Sequence, residues 1–155
     1  MRSYDSIKAE RGREVTLEAP DFLGQARQLL ARNIPIKLRM SGSSMRPAID
    51  DGDVVTIEPV NDGPIKSGDI VLYQTRFDTA VIHRVVRIER SSSERSVITR
   101  GDAATQNDVA VPVHRVLGRV KVVERAGARV KMVKPRQTIS ARLTALWQRL
   151  KFWSR

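Results

Sequence analysis

Between Ile34 and Val123 the chain is cut into short β-branched runs, each closed off by a turn signal, and this pattern limits the folds open to it. Val54-Val55-Thr56-Ile57, Ile70-Val71-Leu72-Tyr73, Ala80 to Val86, Ser96-Val97-Ile98-Thr99 and Val116 to Val123 have the composition and length of strands. Asp51-Gly52, Asn61-Asp62-Gly63-Pro64, Ser67-Gly68-Asp69 and Gly101-Asp102 separate them with residues that favour tight turns. Ser91-Ser92-Ser93-Glu94 reads as a hairpin tip, and Arg129 to Val133 as a last strand before Pro135. Strands at such intervals, with no long helical pattern between them, predict a mainly β fold: a curled antiparallel sheet or partly open barrel.

The two ends read differently. Residues 1 to about 18 are polar and charged and are expected to form a flexible or loosely packed arm. Phe22, Ala26, Leu29 and Leu30 recur at helical spacing, predicting a short amphipathic helix over roughly 21–33 with Asp21 as its cap. At the other end Ile139, Leu143, Leu146, Trp147, Leu150 and Trp153 share one helical face, with Arg142, Arg149 and Lys151 towards the other. The expected organisation is therefore an arm and helix over 1–33, a β domain over 34–133 and a basic amphipathic helix over 134–155.

A net charge of +11 suggests a nucleic-acid binder until it is located. Residues 121–155 hold ten basic side chains against Glu124, a net +9, which leaves +2 for the other 120 residues. The basic character belongs to the tail. Packing of its apolar face on the β core or on a partner chain, and peripheral contact with an anionic membrane, both fit such a helix better than nucleic acid, which is not expected as a partner. No stretch approaches the roughly 20 apolar residues of a membrane span, and the first residues lack the apolar core of a secretory signal. The expected location is cytoplasmic, with peripheral attachment at the inner face of the membrane. Oligomeric state is not legible.

With no cysteine, thiol catalysis, disulfides and thiolate metal sites are excluded; with His83 and His114 far apart, a histidine-rich metal site is not expected, and no cofactor is implied. The chemistry that remains centres on Met40-Ser41-Gly42-Ser43-Ser44-Met45-Arg46-Pro47, where Gly42 and Pro47 constrain a bend carrying three hydroxyls. A serine needs a base to remove its proton, and histidine suits neutral pH. His83 lies inside a strand, on one face with Val81 and Val85; His114 has a similar local setting, and spacing does not separate the two. Asp102 and Asp108, in the loop that follows Arg100-Gly101, are the candidate carboxylates to orient the imidazole.

Gly42-Ser43-Ser44-Met45-Arg46-Pro47, Gly68-Asp69-Ile70-Val71, Val81-Ile82-His83-Arg84-Val85 and Arg100-Gly101-Asp102 together resemble the successive boxes of the signal peptidase I family, whose wider clan includes the self-cleaving SOS-repressor-like peptidases. The resemblance covers about residues 34–124. It is to the Ser-His branch, the endoplasmic-reticulum and archaeal type, since most bacterial members place lysine where His83 stands. It implies an antiparallel β fold, endopeptidase activity after small residues, Ser44 as nucleophile, His83 as general base and Asp108 as the acid that orients it. Ser43 and Ser41 are then supporting oxyanion donors. The chain departs from the pattern in carrying Ala103 and Ala104 where members usually have asparagines, and the usual N-terminal membrane anchor is not expected.

The resulting expectation is a serine endopeptidase acting on a peptide or protein substrate in extended conformation. Two other classes stay open from the sequence: a catalytically inactive binding module on the peptidase fold, and a nucleic-acid-binding regulator related to the self-cleaving repressors.

Overall fold

The computed structural model describes residues 7–9, 13–15, 19–60, 63–92 and 94–130, with side chains from residue 22 onward. The expected C-terminal helix and residues 131–133 of the expected last strand lie outside the described residues. Within them the chain runs β1 (Ile7–Ala9), β2 (Arg13–Val15), α1 (Ala19–Ala31), β3 (Ile36–Arg39), β4 (Val54–Pro59), β5 (Ile70–Gln74), β6 (Ala80–Arg90), β7 (Arg95–Arg100), β8 (Val111–Pro112), a single 3-10 turn (Val113–Arg115), β9 (Val116–Arg125) and β10 (Ala128–Val130). The strands form one antiparallel sheet in the order β2-β1-β3-β4-β9-β5-β6-β7-β8, with β10 folded back on β9. It is the curled half-barrel expected.

Three bulges produce the curl. Lys121 and Leu117 are each the extra residue in β9, against β4 and β5 respectively, and Val86 is the extra residue in β6 against β7. Each bulge sharpens the local twist and resets which side chains face inward. That is why Val120 and Val123, three apart, both enter the same apolar cluster despite the two-residue period of a strand.

The sheet has an apolar cluster on each side. One joins Ile36, Val55, Ile57, Ile70 and Leu72 to Ala26 and Leu30 of α1; the other is built on Val71, Tyr73, Val85, Val97 and Val116. Strands covered on both sides explain why Ile70, Val71, Leu72 and Tyr73 of β5 are all buried.

At the N-terminal end two expectations are corrected. Part of the presumed arm forms the β1–β2 hairpin, which extends the sheet by pairing Ile7–Ala9 with Ile36–Leu38. Helix α1 begins at Ala19, so Asp21 lies in its first turn instead of capping it; Pro20 is tolerated there because first-turn N–H groups have no helical partner. The helix closes in a Schellman motif: Asn33 takes φ +58°, Asn33 N–H bonds Leu30 C=O at 3.0 Å and Ile34 N–H bonds Leu29 C=O at 2.9 Å. No helix among the described residues is long and apolar enough to cross a membrane.

Candidate active site

The octapeptide around Ser44 belongs to the long connection between β3 and β4. Its base is closed by Met40 N–H to Asp53 C=O at 2.7 Å and Gly52 N–H to Met40 C=O at 2.9 Å. Gly42 takes φ +99°, a conformation side chains resist, and its N–H bonds the Asp51 carboxylate at 2.8 Å. Met45, Ala48 and Ile49 are buried, and Ile49 N–H returns to Met45 C=O at 2.9 Å. Anchored by these apolar side chains, the turn leaves Ser44 exposed at its head, with Ser41 and Ser43 exposed in the same loop.

Two ion pairs brace the connection. Arg46 Nε donates to Asp50 at 2.6 Å, and this bond, helped by the Asp51 N–H, holds the Asp50 carboxyl below the usual range. Asp53 is buried and receives Arg125 through two bonds of 2.8 and 2.9 Å as well as the Asp50 N–H. Arg125 is the main cause that holds its carboxyl below the usual range, in spite of the opposing cost of burial.

His83 sits in β6 opposite Val71 of β5. Its Nδ1 lies 2.7 Å from Asp108 Oδ2 and its Nε2 lies 3.3 Å from Ser44 Oγ. A carboxylate facing Nδ1 fixes the proton on that nitrogen, so the Nε2 lone pair faces the serine hydroxyl. The His83 side chain is 17 % exposed and that of Asp108 is 29 % exposed, which leaves the pair reachable from solvent on the serine side. Of the two histidines, the fold brings His83 to the serine. His114 stands in the 3-10 turn with its side chain 70 % exposed, 3.3 Å from Glu94.

The two candidate carboxylates also separate. Asp108 reaches His83; Asp102 does not contact the imidazole and instead forms a two-bond pair with buried Arg84, at 2.7 and 2.6 Å. Because side chains alternate along β6, Arg84 points away from His83, and Asp102 follows it. Arg84 Nη1 also donates to Gly68 C=O at 2.9 Å, tying the Gly68-Asp69 turn to the loop after β7. Asp102, a candidate from the sequence, is thus placed on Arg84 and not on the imidazole.

Four residues that sequence reasoning did not assign complete the surroundings. Thr99 Oγ1 donates to Asp108 Oδ2 at 2.8 Å, and Tyr73 OH donates to the same oxygen at 3.3 Å. Burial first, and then the negative charge of Asp108, push the Tyr73 hydroxyl up to about 12. Gly101 is the third: a methyl group there would stand 2.6 Å from Ser44 O and 3.2 Å from His83 Nε2. The next turn grips the serine backbone through Ala103 N–H to Ser44 C=O at 2.9 Å. Arg84, the fourth, carried the one visible signal, since a charged residue inside an apolar strand requires a buried counter-charge. Tyr73 and Thr99 look like ordinary strand formers in sequence.

The Peptidase S24-like family model matches residues 4–121, and the chain belongs to that family. It is 33 % identical over 70 residues to the signal peptidase complex catalytic subunit SEC11C of Homo sapiens, covering 44 % of this chain and 36 % of that protein. It is 33 % identical over 78 residues to the signal peptidase complex catalytic subunit SEC11 of Scheffersomyces stipitis, covering 50 % of this chain and 46 % of that protein. The chain thus spans less than half the length of these relatives.

Proposed function

We propose that this protein is a serine endopeptidase that cleaves a peptide or protein precursor after small residues, with Ser44 as nucleophile, His83 as general base and Asp108 orienting the base. The observation that carries the reading is the line Ser44 Oγ, His83 Nε2, His83 Nδ1, Asp108 Oδ2, with gaps of 3.3 and 2.7 Å. Ser44 Oγ attacks the scissile carbonyl while Nε2 takes its proton. Nε2 returns that proton to the leaving amine, and water, deprotonated by the same nitrogen, releases the acyl group. The Ser44 backbone N–H, supported by the Ser43 or Ser41 hydroxyl, meets the developing oxyanion; losing such a donor costs about 3 kcal/mol.

An extended substrate fits the strand edge beside His83. Along β6, residues 80–84 pair with β5, but β7 takes up the opposite edge only from Arg84 onward. Among the described residues no backbone partner occupies that edge at Ala80–His83, so it is free to bind a substrate strand and align its carbonyl with Ser44.

A fluorophosphonate probe and a peptide library read by mass spectrometry test the assignment. Wild type is expected to label and to cleave after small residues. Ser44→Ala should do neither, His83→Ala should lose both, and His114→Ala should keep both. Cleavage undiminished in Ser44→Ala assigns the nucleophile elsewhere, and a wild type that neither labels nor cleaves is a binding module. The basic segment after Lys134 is proposed to meet anionic membrane surfaces, and equal co-sedimentation with anionic liposomes by the full chain and by one ending at Lys134 would refute this.

A further inference from the structure

Asp108 is held from the sheet, not from its own loop. Its N–H bonds Thr99 C=O at 2.8 Å, and its Oδ2 receives three side chains: His83 of β6, Thr99 of β7 and Tyr73 of β5. Residues 103–107 between Asp102 and Asp108 are exposed, and among the described residues none of their side chains donates to it. Thr99 is wholly buried and Tyr73 is 3 % exposed, so neither hydroxyl has solvent to turn to, and an unpaired one would be costly. Their oxygens lie 3.2 Å apart. With one proton each, the arrangement that leaves neither idle sends the Thr99 proton to Asp108 along the shorter contact and the Tyr73 proton to the same carboxylate oxygen.

We propose that Tyr73 and Thr99 are positioning residues for the base: two neutral hydroxyls that fix one carboxylate oxygen of Asp108 and moderate its pull on the His83 imidazole. The proposal rests on the peptidase reading for its kinetic consequences, but not for the state of His83. A carboxylate that accepts two neutral donors offers less negative charge to the third. Removing a donor leaves Asp108 Oδ2 more dependent on His83, so the Nδ1–H bond to it is drawn tighter. The other charged side chains on β6 and β7 are Arg84, matched by Asp102, Arg87, paired with Glu89, and Arg90, Arg95 and Arg100; both variants below leave them in place.

The chain has only two histidines, so NMR of the imidazole protons assigns His83 by elimination with His114→Gln. Thr99→Val is expected to move the His83 Nδ1–H resonance downfield and Tyr73→Phe to move it less, with Thr99→Ser returning to the wild-type position. In kinetics Thr99→Val should lower kcat about tenfold with KM nearly unchanged. Should Thr99→Val fail to fold, Tyr73→Phe, which removes a single oxygen, carries the measurement. A His83 Nδ1–H resonance that moves in neither variant, or a Thr99→Ser resonance displaced as far as that of Thr99→Val, overturns the proposal. A resonance that moves in a protein with no cleavage activity sustains the positioning role and removes the peptidase reading.

Discussion

Replacing Gly101 by alanine tests whether the contact between the two loops sets the reacting geometry. The added methyl carbon would lie 2.6 Å from the carbonyl oxygen of Ser44, 3.4 Å from its carbonyl carbon and 3.2 Å from His83 Nε2. Real methyl carbons essentially never approach closer than 3.0 Å, so the serine backbone and the Gly101 backbone must separate by at least about 0.4 Å. The obstructing atom is backbone, which has no rotamer to adopt. It is also held by the Ala103 N–H at 2.9 Å, so the displacement falls on the 3.3 Å gap between Ser44 Oγ and His83 Nε2. A misplacement of about 1 Å costs about 100-fold in rate, so 0.4 Å corresponds to a loss of about sixfold, or about 1.1 kcal/mol of transition-state stabilisation. Overpacking of this kind also destabilises by about 1–3 kcal/mol, which lowers Tm by about 2–4 °C per kcal/mol at this chain length. The assay is the second-order rate of fluorophosphonate labelling, measured well below Tm with the melting curve beside it. An alanine variant that labels at the wild-type rate would refute the argument, because a carbonyl that moves without consequence is not positioning the serine.

Asp102→Asn should destabilise by about 3–5 kcal/mol in urea unfolding, because it leaves the Arg84 guanidinium, 6 % exposed, without its counter-charge; Arg84→Met with Asp102→Leu should recover most of the loss. If Asp102→Asn costs no more than a surface substitution, the buried pair is not the clamp described. Asp53, whose carboxyl lies below its unfolded value, contributes stability that is present above about pH 4 and is lost as pH falls through the folded value. Asp53→Asn should therefore be less stable than wild type at pH 7 and decline less between pH 5 and pH 2; parallel urea midpoints over that range would contradict this. Tyr73 runs the other way, since its hydroxyl is raised from about 10 to about 12: its contribution, about 2–3 kcal/mol, is fully present below pH 10 and is lost as pH rises towards 12. Tyr73→Phe should flatten the alkaline fall in Tm between pH 10 and pH 12, and an equally steep fall would sink the reading.

What could be read in the chain before folding divides along a physical line. β-branched runs and turn residues act locally, so β4, β5, β6, β7 and β9 and the hairpin at Ser91-Glu94 were legible, as was the bend at Gly42, whereas the two-residue β8 was not. The bulges at Lys121, Leu117 and Val86 were not, because nothing in the residue itself marks it as extra; the register is fixed only when the partner strand is in place. The same distinction runs through the site. His83 and His114 sit in nearly identical local sequences, and only the third dimension, which carries Thr99 of β7 and Tyr73 of β5 to Asp108, tells one from the other. Asp102 and Asp108 were equivalent in a loop of small polar residues until the alternation of β6 sent Arg84 to one face and His83 to the other. Each acid then took the partner that its own face offered. That sorting needs no information from the loop itself, which is why alanines at positions 103 and 104 are compatible with it: Ala103 contributes its backbone N–H to Ser44, a bond that asks nothing of the side chain. The demand on sequence falls instead on Gly101, where any side chain would strike the serine backbone, and on the two hydroxyls in the sheet beneath Asp108.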